Sequence, residues 1–462
     1  VPTYRQMAYA SPDDMVFGRS LHPVVCGLDL EIGGGWVVPE LKYAPRPGAE
    51  ASFDSIRDEY RRITQDALSR AVAIGLPAIV LELEHVYQLS RNPEWGAGIA
   101  RMTADLLEQF HSAYGLRSAL RATIADFRQP SHGLRGGDEL ATMLRAFDQS
   151  AASGAHILAI ESTGGKEVFN HCVTRQDLKG ILFAVGVLGS RDMEYLWDHI
   201  VEIADRRQVV PGGDTDCAHA NSAMFMAAGL LDTEMSHVFA ALVRAIGAAR
   251  SLVAFERGAR GPDKDCGYEG VVVKAITGCP ISMEGKSAAC AHSSMSGNVP
   301  AAACDLWSNE AVEYAEMFGG TTPQVFTEIL GYDAAQMNAA IEMGAEKVLR
   351  DIFVASDRYR DPQALVLAPE SAYEIGNAIL SHEGYYARSK AAALRAAELI
   401  HQASASGALP LTTFERRVLD QSMELLESLP DDEEEFVADC LREYAHLDEF
   451  NPANYGIDGG RL

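Results

Sequence analysis

The sequence predicts an α/β protein: a TIM-like (β/α)8 barrel with an N-terminal extension and a C-terminal helical region. Three observations lead there. Short apolar runs alternate with amphipathic helical stretches over roughly 250 residues, the pattern of a parallel sheet built through right-handed crossovers, and this many units favours closure into a barrel. No G-x-G-x-x-G follows the first run, so the dinucleotide fingerprint of the competing open, doubly wound sheet is missing. Beyond Ala335 strand signals stop and helical segments dominate. The expected divisions are residues 1–50, 51–334 and 335–462.

Up to Pro47 the chain is rich in Gly and Pro, and EIGGGWVVPELKYAP reads as a short strand pair around a glycine turn, a lid or a plug at the barrel bottom. Strands then follow at 77–85 (PAIVLELEH), 118–127 (SALRATIADF), 155–161 (AHILAIE) and 181–189 (ILFAVGVLG). A helix with Ser190 as N-cap and Met193, Leu196, Trp197, Ile200 and Ile203 on one face leads to a fifth strand, RQVVP, ahead of Gly212. SLVAF at 251–255 is a sixth, PISME at 280–284 a seventh, and the eighth is placed near TPQVF at 322–326. Helices are expected at 387–403, 412–429 and 431–444, the last opening on the acidic run DDEEE, which suits the positive end of a helix dipole. This region would wrap the barrel or form a dimer surface.

Charge narrows the partners. With 39 Lys+Arg against 65 Asp+Glu the formal net charge is −26, which repels phosphate backbones and anionic lipid and argues against nucleic-acid or membrane partners. No run of about 18 apolar residues occurs, and the start VPTYRQMAYASPDD lacks the apolar centre of a signal peptide, so the chain reads as cytoplasmic. In a reducing compartment its eight cysteines are not a disulfide scaffold. Cys26, Cys172, Cys279, Cys290, Cys304 and Cys440 sit among apolar or small residues and read as buried hydrophobes.

Cys217 and Cys266 differ. They lie in GGDTDCAHAN and GPDKDCGYEG, two copies of D-x-D-C among Gly, Asp, Lys and Thr. Each is expected after a strand, the fifth and the sixth, on the face where barrel chemistry gathers, and before a helical stretch whose N-terminus favours the thiolate. The flanking aspartates read as helix caps. Two thiolates do not complete a tetrahedral site. Glu161, a carboxylate closing an apolar strand, is the first choice for a third ligand; Glu84, His85, Asp126 and Glu284 are alternatives at other strand ends. Two Cys, one Glu and an open position make the composition of a catalytic zinc site, because closed structural sites use four Cys or His ligands. His219 reads as a hydrogen-bonding neighbour, Cys290 and His292 as a buried thiol and a satisfied histidine. The glycines of GLRGGDE and EMFGGTT read as tight turns without the Lys-Ser/Thr of a phosphate loop.

The segments DMVFGRS, PAIVLELEHV, IESTGGKEVF, GGDTDCAHANSAMF, RSLVAFERGARGPDKDCGYE, VKAITGCPISMEGK and DRYRDPQ resemble the zinc-bearing subunit of methanol:corrinoid protein methyltransferases, in register from the N-terminal region to NPANYG. The resemblance implies zinc held by Glu161, Cys217 and Cys266, about one per chain, and transfer of the methyl group of methanol to Co(I) of a corrinoid. Since this chain has no D-x-H-x-x-G, the corrinoid is expected on a separate protein, with this chain a homo-oligomer inside a hetero-oligomeric complex.

Hydroxide is a poor leaving group, and a Lewis-acidic zinc on the alcohol oxygen would polarise the C–O bond. Three anionic ligands around a dication leave roughly one net negative charge, which weakens that acid. A proton donor is therefore expected among Glu84, Asp214, Asp216 and Glu284, with the two aspartates favoured by their closeness to Cys217 in sequence. Two other readings stand beside this one: a homologous demethylase of larger methoxylated compounds with the same triad, and a non-catalytic partner of a corrinoid protein, which the intact triad disfavours.

Overall fold

The computed structural model describes residues 4–229, 234–285, 296–312 and 316–457. An antiparallel hairpin, β1 (Arg19–Cys26) and β2 (Leu30–Gly34), precedes a curled, wholly parallel seven-stranded sheet. Its strands are β3 (Val38–Ala44), β4 (Ala78–Glu84), β5 (Arg117–Ala125), β6 (Ile157–Glu161), β7 (Val210–Asp214), β8 (Ser282–Glu284) and β9 (Leu306–Val312), in the order β7-β6-β5-β4-β3-β9-β8. Helices cover the outer face, which makes the architecture α/β and TIM-like.

The alternation inside each strand sorts residues between two environments. In β4, Ile79, Leu81 and Leu83 join the large core formed with the helices Phe53–Ala73 and Pro93–Tyr114, while Val80, Glu82 and Glu84 share the concave face. The lower part of that face is apolar. Val24, Cys26, Leu30 and Ile32 of the hairpin pack there on Val38, Ala78, Val80, Ala119, Ile157 and Leu306. Each fully buried aliphatic side chain in this plug contributes roughly 1.5–3 kcal/mol. Above it the inward positions turn polar: Glu40 and Lys42 on β3, Glu82 and Glu84 on β4, Arg121 on β5, Glu161 on β6. Register pairs Glu84 with Thr123 and Thr123 with Ala159, so Glu161 stands one inward layer above Glu84.

Between β7 and β8 an extended stretch runs beside β7. Arg260 N donates to Pro211 O and Gly261 N to Gly212 O, both at 2.8 Å, and Ser282 N donates to Asp263 Oδ1 at 2.9 Å. The approach is too close for side chains: a Cβ on Gly212 would lie 2.9 Å from Pro262 O, and one on Gly213 2.9 Å from Asp263 Cβ. The glycine pair ahead of D-T-D-C is thus a packing requirement.

Several expected elements are corrected. The pair within EIGGGWVVPELKYAP is not a separate hairpin: β2 pairs back with β1, forming the plug, and Val38–Ala44 lies inside the main sheet between β4 and β9. ILFAVGVLG is helical, a wide-turned segment Leu182–Gly189 continuous with Leu178–Ile181 before it and Ser190–Arg207 after it, so Ser190 caps nothing. All of Leu182–Gly189 is buried, and a short continuous apolar run cannot be told from a buried helix by periodicity.

SLVAF belongs to the helix His237–Arg257 for the same reason; that helix is long and apolar enough to cross a membrane, yet its apolar window is entirely buried inside the protein. TPQVF opens the helix Thr322–Glu342 behind a Thr321–Gln324 capping box. The strand missed in its place is β9, LWSNEAV, whose polar centre hides it. The C-terminal helices stand as expected at Tyr385–Ala405, Thr413–Ser428 and Glu433–Tyr444, the last capped by Asp432, and Tyr385–Ala405 packs on His237–Arg257.

Candidate metal centre and its acidic surroundings

Glu161 ends β6. Cys217 starts the wide turn Cys217–Asn221 just after β7, and Cys266 lies in the loop between the helices His237–Arg257 and Gly270–Thr277. Their ligand atoms all lie within 4.8 Å of one another, and Cys266 Sγ is 3.0 Å from Glu161 Oε1. In this structure the two sulfurs are joined as a disulfide with Cα atoms 6.1 Å apart. Reduced, the same pair presents two buried thiolates beside a carboxylate. Two sulfurs and one carboxylate oxygen converging on a point are the donors of an open, catalytic kind of zinc site, so the donor set fits zinc.

Around the triad the charges are dense. Lys264 Nζ lies 3.2 Å from Glu161 Oε1, 3.2 Å from Glu82 Oε1, 3.9 Å from Glu84 Oε2 and 3.7 Å from Cys266 Sγ, and also binds Asp265. Lys42 pairs with Glu84 at 2.8 Å; Thr123 donates to Glu82 at 2.7 Å and Ser308 to Asp265 at 2.8 Å. Arg121 holds Glu40 at 2.8 Å from the layer below. Burial pushes Glu82 up to about 8 against the pull of Lys264. Burial likewise raises Glu161. Burial acts on Glu84 too, yet Lys42 and Lys264 hold it below the ordinary carboxylate range.

The other expected acids separate into two groups. Glu84 lines a cavity of about 380 Å³ together with His85, Thr123, Asp126 and Glu161. Glu284 accepts a 2.7 Å hydrogen bond from Tyr268, and its carboxylate lies within 4.8 Å of Cys266 Sγ and an Asp265 oxygen. Asp214 and Asp216 have different partners. Asp214 accepts from Ser162 N at 3.2 Å, Ser162 Oγ at 2.5 Å and Trp197 Nε1 at 3.3 Å, tying the end of β7 to the residue after Glu161. Asp216 binds His219 Nδ1 at 2.6 Å while its own N–H donates to Glu269, so it holds the Cys217 turn.

The cap reading of the D-x-D-C aspartates is corrected. Neither helix has a side-chain cap, because Asp216 is engaged by His219, Asp263 by Ser282 N, and Asp265 by Lys264 and Ser308.

Among the alternative ligands, Asp126 is bound by Arg128 at 2.8 Å and by Thr163 N at 2.9 Å, and His85 Nδ1 by Ser90 at 3.2 Å. Burial lowers His85 to about 3. Cys26, Cys172, Cys279, Cys304 and Cys440 are buried free thiols; Cys290 and His292 lie outside the described residues. Sequence reasoning missed Lys264, Asp265, Glu82, Lys42, Arg121 and Glu40. Charges at alternate positions inside otherwise apolar strands, Glu40/Lys42 and Glu82/Glu84, were the available signal.

The family described as methanol-cobalamin methyltransferase B subunit matches residues 1–456. The chain belongs to that family. It is 50% identical over 457 residues to the methanol–corrinoid protein co-methyltransferase of Methanosarcina barkeri (strain Fusaro / DSM 804), covering 98% of this chain and 99% of that one. The crystal structure of the methanol:cobalamin methyltransferase complex MtaBC from Methanosarcina barkeri contains a chain similar to it with a TM-score of 0.96 and 50% identity, over 99% of this chain and 100% of that one.

Proposed function

We propose that this chain transfers the methyl group of methanol to the Co(I) of a corrinoid carried by a separate protein, using zinc held by Glu161, Cys217 and Cys266. The observation that carries the reading is the convergence of those three ligand atoms within 4.8 Å in a chain that is 50% identical to a methanol–corrinoid protein co-methyltransferase. When bound there, zinc supplies Lewis acidity toward the alcohol oxygen. The methyl carbon leaves the oxygen and bonds to cobalt, which supplies both electrons, and the oxygen departs as water after gaining a proton.

The chain's own residues do the rest. Asp214 and Asp216 are positioning residues, the first fixing the strand end that carries Glu161 and the second the turn that carries Cys217. Glu84 and Glu284 stand beside the ligands as hydrogen-bond acceptors, Glu84 ionised between Lys42 and Lys264 and Glu284 accepting from Tyr268, so their role would be to relay a proton toward the departing oxygen rather than to store one. The stretch 259–263 beside β7 supports an eight-stranded closed (β/α)8 barrel, with the plug below and residues 335–462 as the helical region around it. The net charge and the buried free thiols fit a reducing cytoplasm.

A panel of methanol and methoxyarenes, offered with Co(I)-cobalamin to reduced, zinc-analysed protein, tests the reading. Methyl transfer from methanol is expected, and turnover restricted to methoxyarenes would replace methanol with a larger donor. Protein that carries no zinc after reduction and zinc incubation would end the metal assignment.

A further inference from the structure

Lys264 has no part in the transfer described above, yet it occupies the centre of the charge cluster. It is completely buried. Its ammonium sits 3.2 Å from a ligand oxygen, Glu161 Oε1, and 3.7 Å from a ligand sulfur, Cys266 Sγ, while its remaining contacts are Glu82 and Glu84 on β4 and its neighbour Asp265. The loop that carries it is pinned: Arg121 Nη1 donates to Pro262 O at 3.2 Å and Asp263 accepts from Ser282 N. A fixed point charge with three donors therefore bridges β4 and β6 at the ligand layer.

Two effects of such a charge oppose each other. By charge alone a cation this close to the triad repels a divalent metal, and removing it should tighten binding. By geometry it holds the Glu161 carboxylate in place against the carboxylates of Glu84 and Asp265, which would otherwise drive it away, and removing it should loosen the ligand.

Building on the zinc reading of the site, we infer that Lys264 is a positioning residue for the metal: it fixes Glu161 in its ligating place, and this outweighs its repulsion of the ion. Asp265 on its own loop, with one oxygen on the ammonium and the other accepting from Ser308, and Glu82, whose Oε1 accepts from Thr123, are what keep the ammonium in register. Partners that orient metal ligands typically matter at about the 10- to 100-fold level in metal affinity.

Zinc affinity measured by competition with a chromophoric chelator under reducing conditions, together with the visible spectrum of the Co²⁺-substituted protein, tests the inference. K264M is expected to bind zinc about 10- to 100-fold more weakly and to alter the ligand-field bands of Co²⁺, while retaining its helical circular dichroism. K264Q, which keeps polar donors without the charge, serves as the second variant and takes over if K264M does not fold. In an E161Q background K264M should change the affinity by less than about 3-fold, since the ligand through which Lys264 acts is already impaired. Unchanged or tighter zinc in K264M, or an undiminished loss in the E161Q background, overturns the inference. Wild-type protein that binds no zinc would instead fail the reading on which it rests.

Discussion

Gly247 offers a test of how the site is held from behind. It lies in the buried helix His237–Arg257, and a methyl at its Cβ position would stand 2.5 Å from Asp216 Oδ2, 2.8 Å from Asp216 Cβ and 3.0 Å from Cγ. Ordinary contact begins near 3.4 Å, so G247A must push Asp216 back by nearly 1 Å. Asp216 has little room to yield. His219 grips its carboxylate at 2.6 Å, Glu269 grips its N–H at 2.6 Å, and the next residue is Cys217.

Alanine is favoured over glycine in a helix by roughly 0.5–1 kcal/mol, whereas overpacking a filled site costs roughly 1–3 kcal/mol. The packing cost wins, and a net loss of about 1–2 kcal/mol is expected. The larger effect should be functional, because a misplacement of about 1 Å can cost about 10²-fold in rate. Chelator competition should report weaker zinc, and single-turnover transfer to Co(I)-cobalamin at saturating zinc should slow. Wild-type zinc affinity, rate and unfolding midpoint in G247A would show that the helix absorbs the methyl without moving Asp216, and would refute the argument.

Three further outcomes are expected. C217A and C266A should lose zinc but keep native circular dichroism, since the core is extensive without the metal; loss of helical signal would make the site structural. Of the amides E84Q, E284Q, D214N and D216N at constant zinc content, E84Q or E284Q should slow single turnover by about 10²-fold or more, as loss of a proton-relaying carboxylate would; near-normal rates in both would leave solvent as the direct proton source. His85, whose folded value lies near 3 against 6.5 unfolded, should contribute stability that is complete above pH 6.5 and is lost as pH falls, by roughly 1.5–2 kcal/mol between pH 6.5 and 5. Urea unfolding of H85N should show a shallower fall over that interval, and an identical slope would refute the assignment.

The sequence by itself determined the α/β class, the strands β4, β5 and β6, the C-terminal helices and the two cysteines that stand apart from the buried thiols. These are features of local composition: a strand that is apolar between breakers, a helix with one apolar stripe, and cysteines among Gly and Asp rather than in an apolar run all carry their environment in a few adjacent residues. Only the tertiary structure decided the rest. ILFAVGVLG and SLVAF are helical because the protein buries them on every side, which erases the periodicity that marks a helix at a surface. LWSNEAV is a strand in which Ser308 turns inward to Asp265, a charged environment that does not exist until the sheet curls. Asp214 and Asp216 are close to Cys217 in the chain, yet their carboxylates are taken up by Ser162, Trp197 and His219; Glu84 and Lys264, distant in sequence, reach the ligands. Sequence proximity orders residues along one strand end, whereas the contacts at the mouth of a parallel sheet are set by neighbouring strands and by the register between them.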